Sequence, residues 1–310
     1  MNSTFIISVF AAGVIAGTPL LYACLGELLT ERSGVMNLGV EGMMLVGAVT
    51  GFIVSIHTKN QWLGFIAGIV AGAALAFFHA VLTIKLKANQ VASGVALTIF
   101  GTGLSAYLGK SYIGALPAAS FKAIDIPLLS KIPVIGTILF KNDLLVYLSF
   151  ILVFAIWFVL YKTKSGLILR AVGENPAAAD AAGINVFLVR YLCVILGGML
   201  SGAGGAYISL AYSPSWSENM TAGRGWIAIA LVIFALWDPI RAVVGAYIFG
   251  IISSLGLHLQ AFGFVIPTYI LQMLPYIFTF VVLIFTTRET KSRPSAMPKA
   301  LGISYSREER

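Results

Sequence analysis

Apolar runs separated by short polar breaks occupy most of the chain, at 5–26, 40–56, 62–84, 90–109, 143–161, 188–212, 224–236, 241–258 and 267–287. About 20 apolar residues in an α-helix cover the ~30 Å hydrocarbon layer of a bilayer. The pattern therefore predicts an all-α, polytopic membrane helix bundle of about eight to ten spans. Two runs fit less well. The one at 40–56 follows polar residues and glycines, and the one at 224–236 stops at Trp237-Asp238-Pro239. Both are expected to be half-helices that enter the membrane from an unwound segment, making the bundle discontinuous there. Small residues crowd other runs, notably Gly64, Gly68 and Gly72, and Gly197, Gly198, Gly202, Gly204 and Gly205. Their spacing predicts close backbone packing between helices. A pathway lined by backbone is the sharper alternative.

Composition strengthens the membrane reading. Of 310 residues, 59% are hydrophobic and 10% charged, against about 25% charged in soluble domains. The net charge of +8 does not imply a nucleic-acid partner, because the basic residues collect in loops and the tail, where the positive-inside rule places them. Arg288, Lys291, Arg293, Lys299, Arg307 and Arg310 put the C-terminus in the cytoplasm. Lys162, Lys164 and Arg170 put the 162–187 loop on the same side, and Lys85 and Lys87 join them. The 110–142 loop then falls outside despite four lysines, its length weakening the charge rule. The chain thus divides into a transmembrane domain, 1–287, and a polar cytoplasmic tail, 288–310, which its composition and two prolines predict to be mobile. Cys24 and Cys193 read as small core residues. The opening Met-Asn-Ser-Thr-Phe lacks the basic start of a cleaved signal, so the first run is expected to span.

Enzymatic constellations do not emerge. His57, His79 and His258 stand apart from other metal-ligand side chains. No Gly-x-x-x-x-Gly-Lys-Ser/Thr loop is present to cradle phosphates, so any ATP-driven step needs another chain. Three polar segments carry the remaining chemistry. In 26–44, Asn37 and Glu41 stand where two apolar runs are interrupted, and polar groups at membrane depth face a cavity or a partner. The plainer alternative is a cytoplasmic turn with Glu31 and Arg32 in solvent. In 169–185, Asn175 caps a helix that begins at Pro176 and ends at Gly183. Such a short, small-residue helix suits another protein's groove, or it is simply a connector. In 213–226, Trp216, Glu218, Asn219, Arg224 and Trp226 suit a ring-bearing polar solute. Taken singly, each tryptophan reads equally as an interfacial anchor. Asn89 and Gln90 join Asn37, Glu41 and these five as candidate pathway residues.

The same segments resemble those of permeases in bacterial ABC importers of the branched family for ribose-type sugars, nucleosides and branched-chain amino acids. The resemblance rests on Glu-Arg-x-Gly-x-x-Asn-Leu-Gly-x-Glu-Gly-Met-Met at 31–44 and Arg-Ala-x-Gly-Glu-Asn-Pro-x-Ala-Ala-x-x-Ala-Gly-Ile at 170–184. Gly-Arg-Gly-x-Ile-Ala-Ile-Ala at 223–230 completes it. It covers roughly 5–287 and is closest to the shorter nucleoside permease. The Ile-Asp-Leu-Ser core of the sugar branch is absent where Met36-Asn37-Leu38-Gly39 stands. The resemblance implies that Arg170, Gly173, Glu174, Asn175, Pro176, Ala177, Ala178, Ala182 and Gly183 belong to a cytoplasmic helix coupling the chain to an ATPase. It also implies an inverted internal repeat, in which the segments after Asn37 and Gly225 begin broken helices near the centre of the pathway. The implied partners are an ABC ATPase that uses ATP and Mg2+, a second permease subunit, and an extracytoplasmic solute-binding lipoprotein. The setting is the bacterial cytoplasmic membrane, and this chain itself carries neither cofactor nor catalytic residue. An ion- or proton-coupled secondary transporter and a non-transporting scaffold or receptor subunit are the alternatives. Mid-span carboxylates are scarce outside the Glu41 region, which disfavours the former.

Overall fold

The computed structural model describes residues 3–261 except 118, residues 296–307, and scattered positions between 267 and 284. Its helices are α1 (Ser3–Arg32), α2 (Val40–Thr58), α3 (Gln61–Ala80), α4 (Gln90–Gly109), α5 (Ile135–Leu139), α6 (Leu144–Lys162), α7 (Lys164–Glu174), α8 (Pro176–Ala181), α9 (Val186–Tyr207), α10 (Arg224–Phe234) and α11 (Pro239–Ala261). Five-residue π-helical turns, Val81–Lys85 and Ile208–Tyr212, extend α3 and α9. A two-stranded ribbon pairs Ile124–Asp125 with Lys141–Asn142.

Among the described residues, seven helices are long and apolar enough to cross a bilayer: α1, α2, α3, α4, α6, α9 and α11. The expected run at 224–236 forms the short α10, whose 11 residues rise only ~16 Å. The run at 267–287 lies largely outside the described residues.

The chain's first break departs from expectation in two respects. Helix α2 has 19 residues, about 28 Å, so it is longer than the half-helix expected, although it does start from the unwound segment. Helix α1 continues through Glu27 and Glu31 to Arg32, and both glutamates are buried. The cytoplasmic turn with Glu31 in solvent is therefore not what forms. The unwound stretch is only 33–39.

The core is built around α9, which packs on α1, α2 and α3, while α11 lies along α1. Lipid tails are as apolar as the helices, so association depends on close contact and not on expulsion of water. Glycine supplies that contact. A Cβ on Gly47 would lie 2.5 Å from the Gly202 carbonyl oxygen, and one on Gly68 2.6 Å from the Ala206 Cβ. Gly72 abuts the Gly198 carbonyl, and Gly205 abuts the Met44 carbonyl. The packing role read from their spacing is the one the structure shows.

At one end of the bundle, Asp143 caps α6 by accepting from the Leu145 and Val146 amides, and Tyr207 Oη donates to its other oxygen. The 110–142 loop lies at this end, where the Phe121 amide donates to the Leu210 carbonyl. The opposite end holds Lys87, the α7–α8 pair and residues 296–307, joined by the Lys87–Ser306 and Arg307–Asp180 contacts. The grouping expected from the loop lysines thus appears as two opposite faces. Within the tail, Ala300 and Tyr305 are buried, so residues 296–307 pack against the bundle where composition alone suggests a free segment.

Candidate functional site

Helix α10 starts without a side-chain cap of its own, since Gly223 occupies the N-cap position at φ +79°. A carboxylate from another helix fills the role. Glu41 Oε1 accepts from Thr221 Oγ1 at 2.6 Å and from the Gly223 amide at 2.8 Å. Its Oε2 accepts from the Gly225 amide at 2.6 Å. A helix N-terminus leaves amides unpaired and carries partial positive charge. Glu41 answers both needs for α10 while it stands in the first turn of α2. Gly225 is required by the approach, because a Cβ there would lie 2.5 Å from the Glu41 backbone nitrogen and Cα.

The other end of α10 is anchored as well. Trp237, just past that end, donates its indole N–H to Glu31 Oε2 at 2.5 Å, and the Arg32 guanidinium forks onto the Trp237 carbonyl at 3.1 and 3.0 Å. Both partners belong to the last turn of α1. A rise of ~16 Å separates that end from the Glu41–Gly225 junction, about half the thickness of a ~30 Å hydrocarbon layer.

The 33–39 break is pinned by side chains. The Asn37 amide donates to Glu27 Oε1 at 3.0 Å, and Asn37 Oδ1 accepts from the Gly39 amide at 2.9 Å, leading into α2. Gln90 Oε1 accepts from the Met36 amide at 2.7 Å, and His79 Nε2 lies 3.0 Å from the Met36 carbonyl. Thr98 Oγ1 donates to the Leu38 carbonyl. Unwound backbone inside the bundle is tolerated because protein groups satisfy it.

The other pathway candidates are dispersed. Asn89 is exposed and caps α4 by accepting from the Ala92 amide. Trp216 is buried against Ala48, Val49 and Phe52, so it is not an interfacial anchor. Glu218 and Asn219 are exposed. Arg224 donates to the Met220 and Thr221 carbonyls and stacks on Tyr212, with no ion pair to Glu218 among the described contacts. Trp226 is exposed, at 40%. None of the nine candidates lines the cavity of about 640 Å³ between α1, α3, α6, α7 and α9, whose walls are almost wholly apolar, among them Leu148, Leu152, Leu192 and Leu196. A polar solute needs polar partners, so this cavity does not suit one.

At the opposite face the local reading holds. Asn175 Oδ1 accepts from the Ala178 amide at 3.0 Å, Pro176 opens α8, and Gly183 follows it at φ +82°. Glu174, Asn175, Ala177, Ala178, Ala182 and Gly183 are exposed, and Pro176 is half-buried. Arg170 stacks on Tyr161 at 5.4 Å. Gly173 points inward, with no room for a Cβ against the Arg32 carbonyl. Sequence reading did not single out Glu27, Thr221, Trp237 or Asp180 as candidates. The pair Glu27 and Glu31, four residues apart on an apolar helix, carried a usable signal. Thr221 carried none.

The family model for the permease component of branched-chain amino acid transport systems matches residues 9–287. The chain belongs to this family. The permease is 44% identical, over 96% of its length and 99% of the relative's, to a Haloferax volcanii protein provisionally assigned as a glucose ABC transporter permease. It is 36% identical, over 98% of its length and 99% of the relative's, to a nucleoside ABC transporter permease protein of Lactococcus lactis subsp. cremoris. Among solved structures it is similar to an inward-facing ABC transporter provisionally described as metal-chelate type. That match has a TM-score of 0.52 and 18% identity, and covers 89% of the permease and 84% of the other chain. The latter is a likeness of fold. The permease is a multi-pass membrane transport subunit.

Proposed function

We propose that the permease is the membrane-spanning, driven half of an importer powered by a separate ABC ATPase, and that its solute is a nucleoside or a related sugar-containing molecule. The observation that carries the coupling is α8. It is a capped helix of small residues, exposed along Asn175, Ala177, Ala178 and Ala182, at the face where α1 and α10 end. A helix of this kind enters a groove without steric penalty. The ATPase supplies the ATP and Mg2+ chemistry, which this chain has no phosphate loop to perform. Closure of the ATPase halves moves α8, and the spans rock about the Glu41–Gly225 level in alternating access.

The solute class is supported by the nucleoside and glucose permeases among the relatives. A second permease subunit completes the pathway, consistent with an apolar cavity in this chain alone and with the exposed side chains of Val91, Val95, Ile99 and Trp226. A solute-binding lipoprotein delivers the solute from outside. On this reading the α8 face and the C-terminal residues are cytoplasmic, in the cytoplasmic membrane. An ion-coupled carrier would leave α8 without a partner.

Ala178→Trp tests the proposal. A bulky ring on the docking face is expected to weaken the ATPase complex by about 1–3 kcal/mol, roughly 5- to 150-fold, while Ala178→Ser binds as wild type. Co-purification from membranes measures it. Undiminished ATPase recovery with Ala178→Trp would remove α8 from the interface.

A further inference from the structure

Beneath α8 lies a small apolar core of Val172, Ala179, Val186 and Tyr305. The first three belong to α7, α8 and α9, but Tyr305 comes from the far end of the chain. A six-residue helix is too short to persist by its own hydrogen bonds, so whatever packs beneath it decides its position. Residues 296–307 do more than fill space. Tyr305 Oη donates to Asp180 Oδ2 at 3.0 Å, and Arg307 donates to Asp180 Oδ1 through Nε at 3.2 Å and Nη2 at 2.9 Å. The Arg307 guanidinium lies over Phe187, whose ring centroid is 5.8 Å from that of Tyr305.

The other contacts of the segment lead into the membrane helices. The Ala300 amide donates to the Gly173 carbonyl at 2.9 Å, and the Gly302 amide to the Gly34 carbonyl at 3.3 Å. Arg190, buried on α9, donates through Nη1 to the Ile303 carbonyl at 3.1 Å and through Nε to the Ser33 carbonyl at 3.2 Å. One continuous set of bonds therefore runs from Asp180 on α8, through Tyr305 and Ile303, to Arg190 on α9 and to the start of the 33–39 break.

We propose that residues 296–307 form a strap that holds α8 in position and passes its displacement to α9 and to the α1–α2 break. The strap rests on the reading of α8 as the ATPase contact, and it adds a route that the α7–α8 connection does not supply. Asp180, Tyr305, Arg307 and Arg190 are its positioning residues. Its outer ion pair is weak in isolation, since Arg307 is 60% exposed and water screens it. Asp180, whose side chain is 7% exposed, receives both Tyr305 and Arg307 as donors.

The test reconstitutes the permease with its ATPase and binding protein in proteoliposomes, and compares wild type with Asp180→Asn, Asp180→Arg, Tyr305→Phe/Arg307→Ala, and the exchanged pair Asp180→Arg/Arg307→Asp. ATP hydrolysed per solute imported is the decisive readout, because a purely structural defect lowers hydrolysis and uptake together. The double variant Tyr305→Phe/Arg307→Ala keeps the ring in the core and removes the two described donors to Asp180. It is expected to keep ATPase co-purification within about twofold while uptake falls about tenfold and ATP per solute rises, since bonds to a charged group are the stronger kind. Exchanging the charges should restore at least part of what Asp180→Arg loses. Unchanged uptake and coupling ratio in the double variant would overturn the strap. Loss of co-purification in parallel with uptake would also overturn it, making the segment a docking surface only. If Ala178→Trp abolishes ATPase binding while the strap variants behave as wild type, the strap fails and the α8 reading stands. If Ala178→Trp changes nothing, the α8 reading itself fails.

Discussion

Replacing Glu41 by alanine is expected to lower the thermal unfolding midpoint of the detergent-solubilised permease by on the order of 10 °C and to abolish uptake. The substitution leaves Thr221 Oγ1 and the Gly223 and Gly225 amides without their acceptor at a buried site. Each orphaned group costs about 1–3 kcal/mol where the site is buried within the protein. A loss of roughly 3–5 kcal/mol is a large part of the 5–15 kcal/mol typical of a folded domain. Glu41→Gln separates shape from charge. Its oxygen can keep Thr221 and Gly223, but its NH2 then faces the Gly225 amide, donor against donor. Glutamine should therefore fall between glutamate and alanine, with the deficit confined to the α2–α10 junction. A fluorescence-monitored melt in detergent measures both. Wild-type midpoints for both variants would mean that the carboxylate does not hold α10.

The second large effect is expected at Gly205. Its Cβ position falls on the Met44 carbonyl of α2, and backbone, unlike a side-chain tip, cannot swing aside. Gly205→Ala must separate α9 from α2 and, through Gly202 and Gly47, disturb the same seam. Overpacking of this kind costs about 1–3 kcal/mol, and Gly205→Leu should prevent assembly of the bundle. Gly103 on α4 is the matched control, because a Cβ there meets nothing within 4 Å. Gly103→Ala should be neutral or stabilising by about 0.5–1 kcal/mol. Membrane-fraction yield and melting midpoint report the contrast, and equal behaviour of the two alanine variants would contradict the close-packed seam.

The parts that sequence made legible are those governed by local rules. Asn175, Pro176 and Gly183 define α8 because caps and glycine stops act within a few residues. The glycine spacing forecast tight packing because small residues at three- and four-residue intervals share a helix face. Length and apolarity located the spans, but could not say that α1 runs on through Glu27 and Glu31. Each of those carboxylates accepts from a donor elsewhere in the chain, Glu27 from Asn37 and Glu31 from Trp237. Glu41 stood out as a polar residue at a break, yet its partners lie about 180 positions away, beyond any periodicity argument. Trp216 read equally as an interfacial anchor until its burial between α2 and Gly109 was known. Residues 296–307 departed for the opposite reason: polar composition and prolines suggested a free segment, while Ala300 and Tyr305 dock these residues.

Uptake of labelled nucleoside into proteoliposomes, with the permease, its partner subunit and the binding protein held fixed, tests the driven-half account most directly. The ATPase is exchanged for a hydrolysis-dead form. Accumulation against a gradient is expected to require the active ATPase and ATP with Mg2+, and to be indifferent to collapse of the proton gradient. Uptake that continues unchanged with the dead ATPase, or that stops when the proton gradient alone is removed, would contradict it.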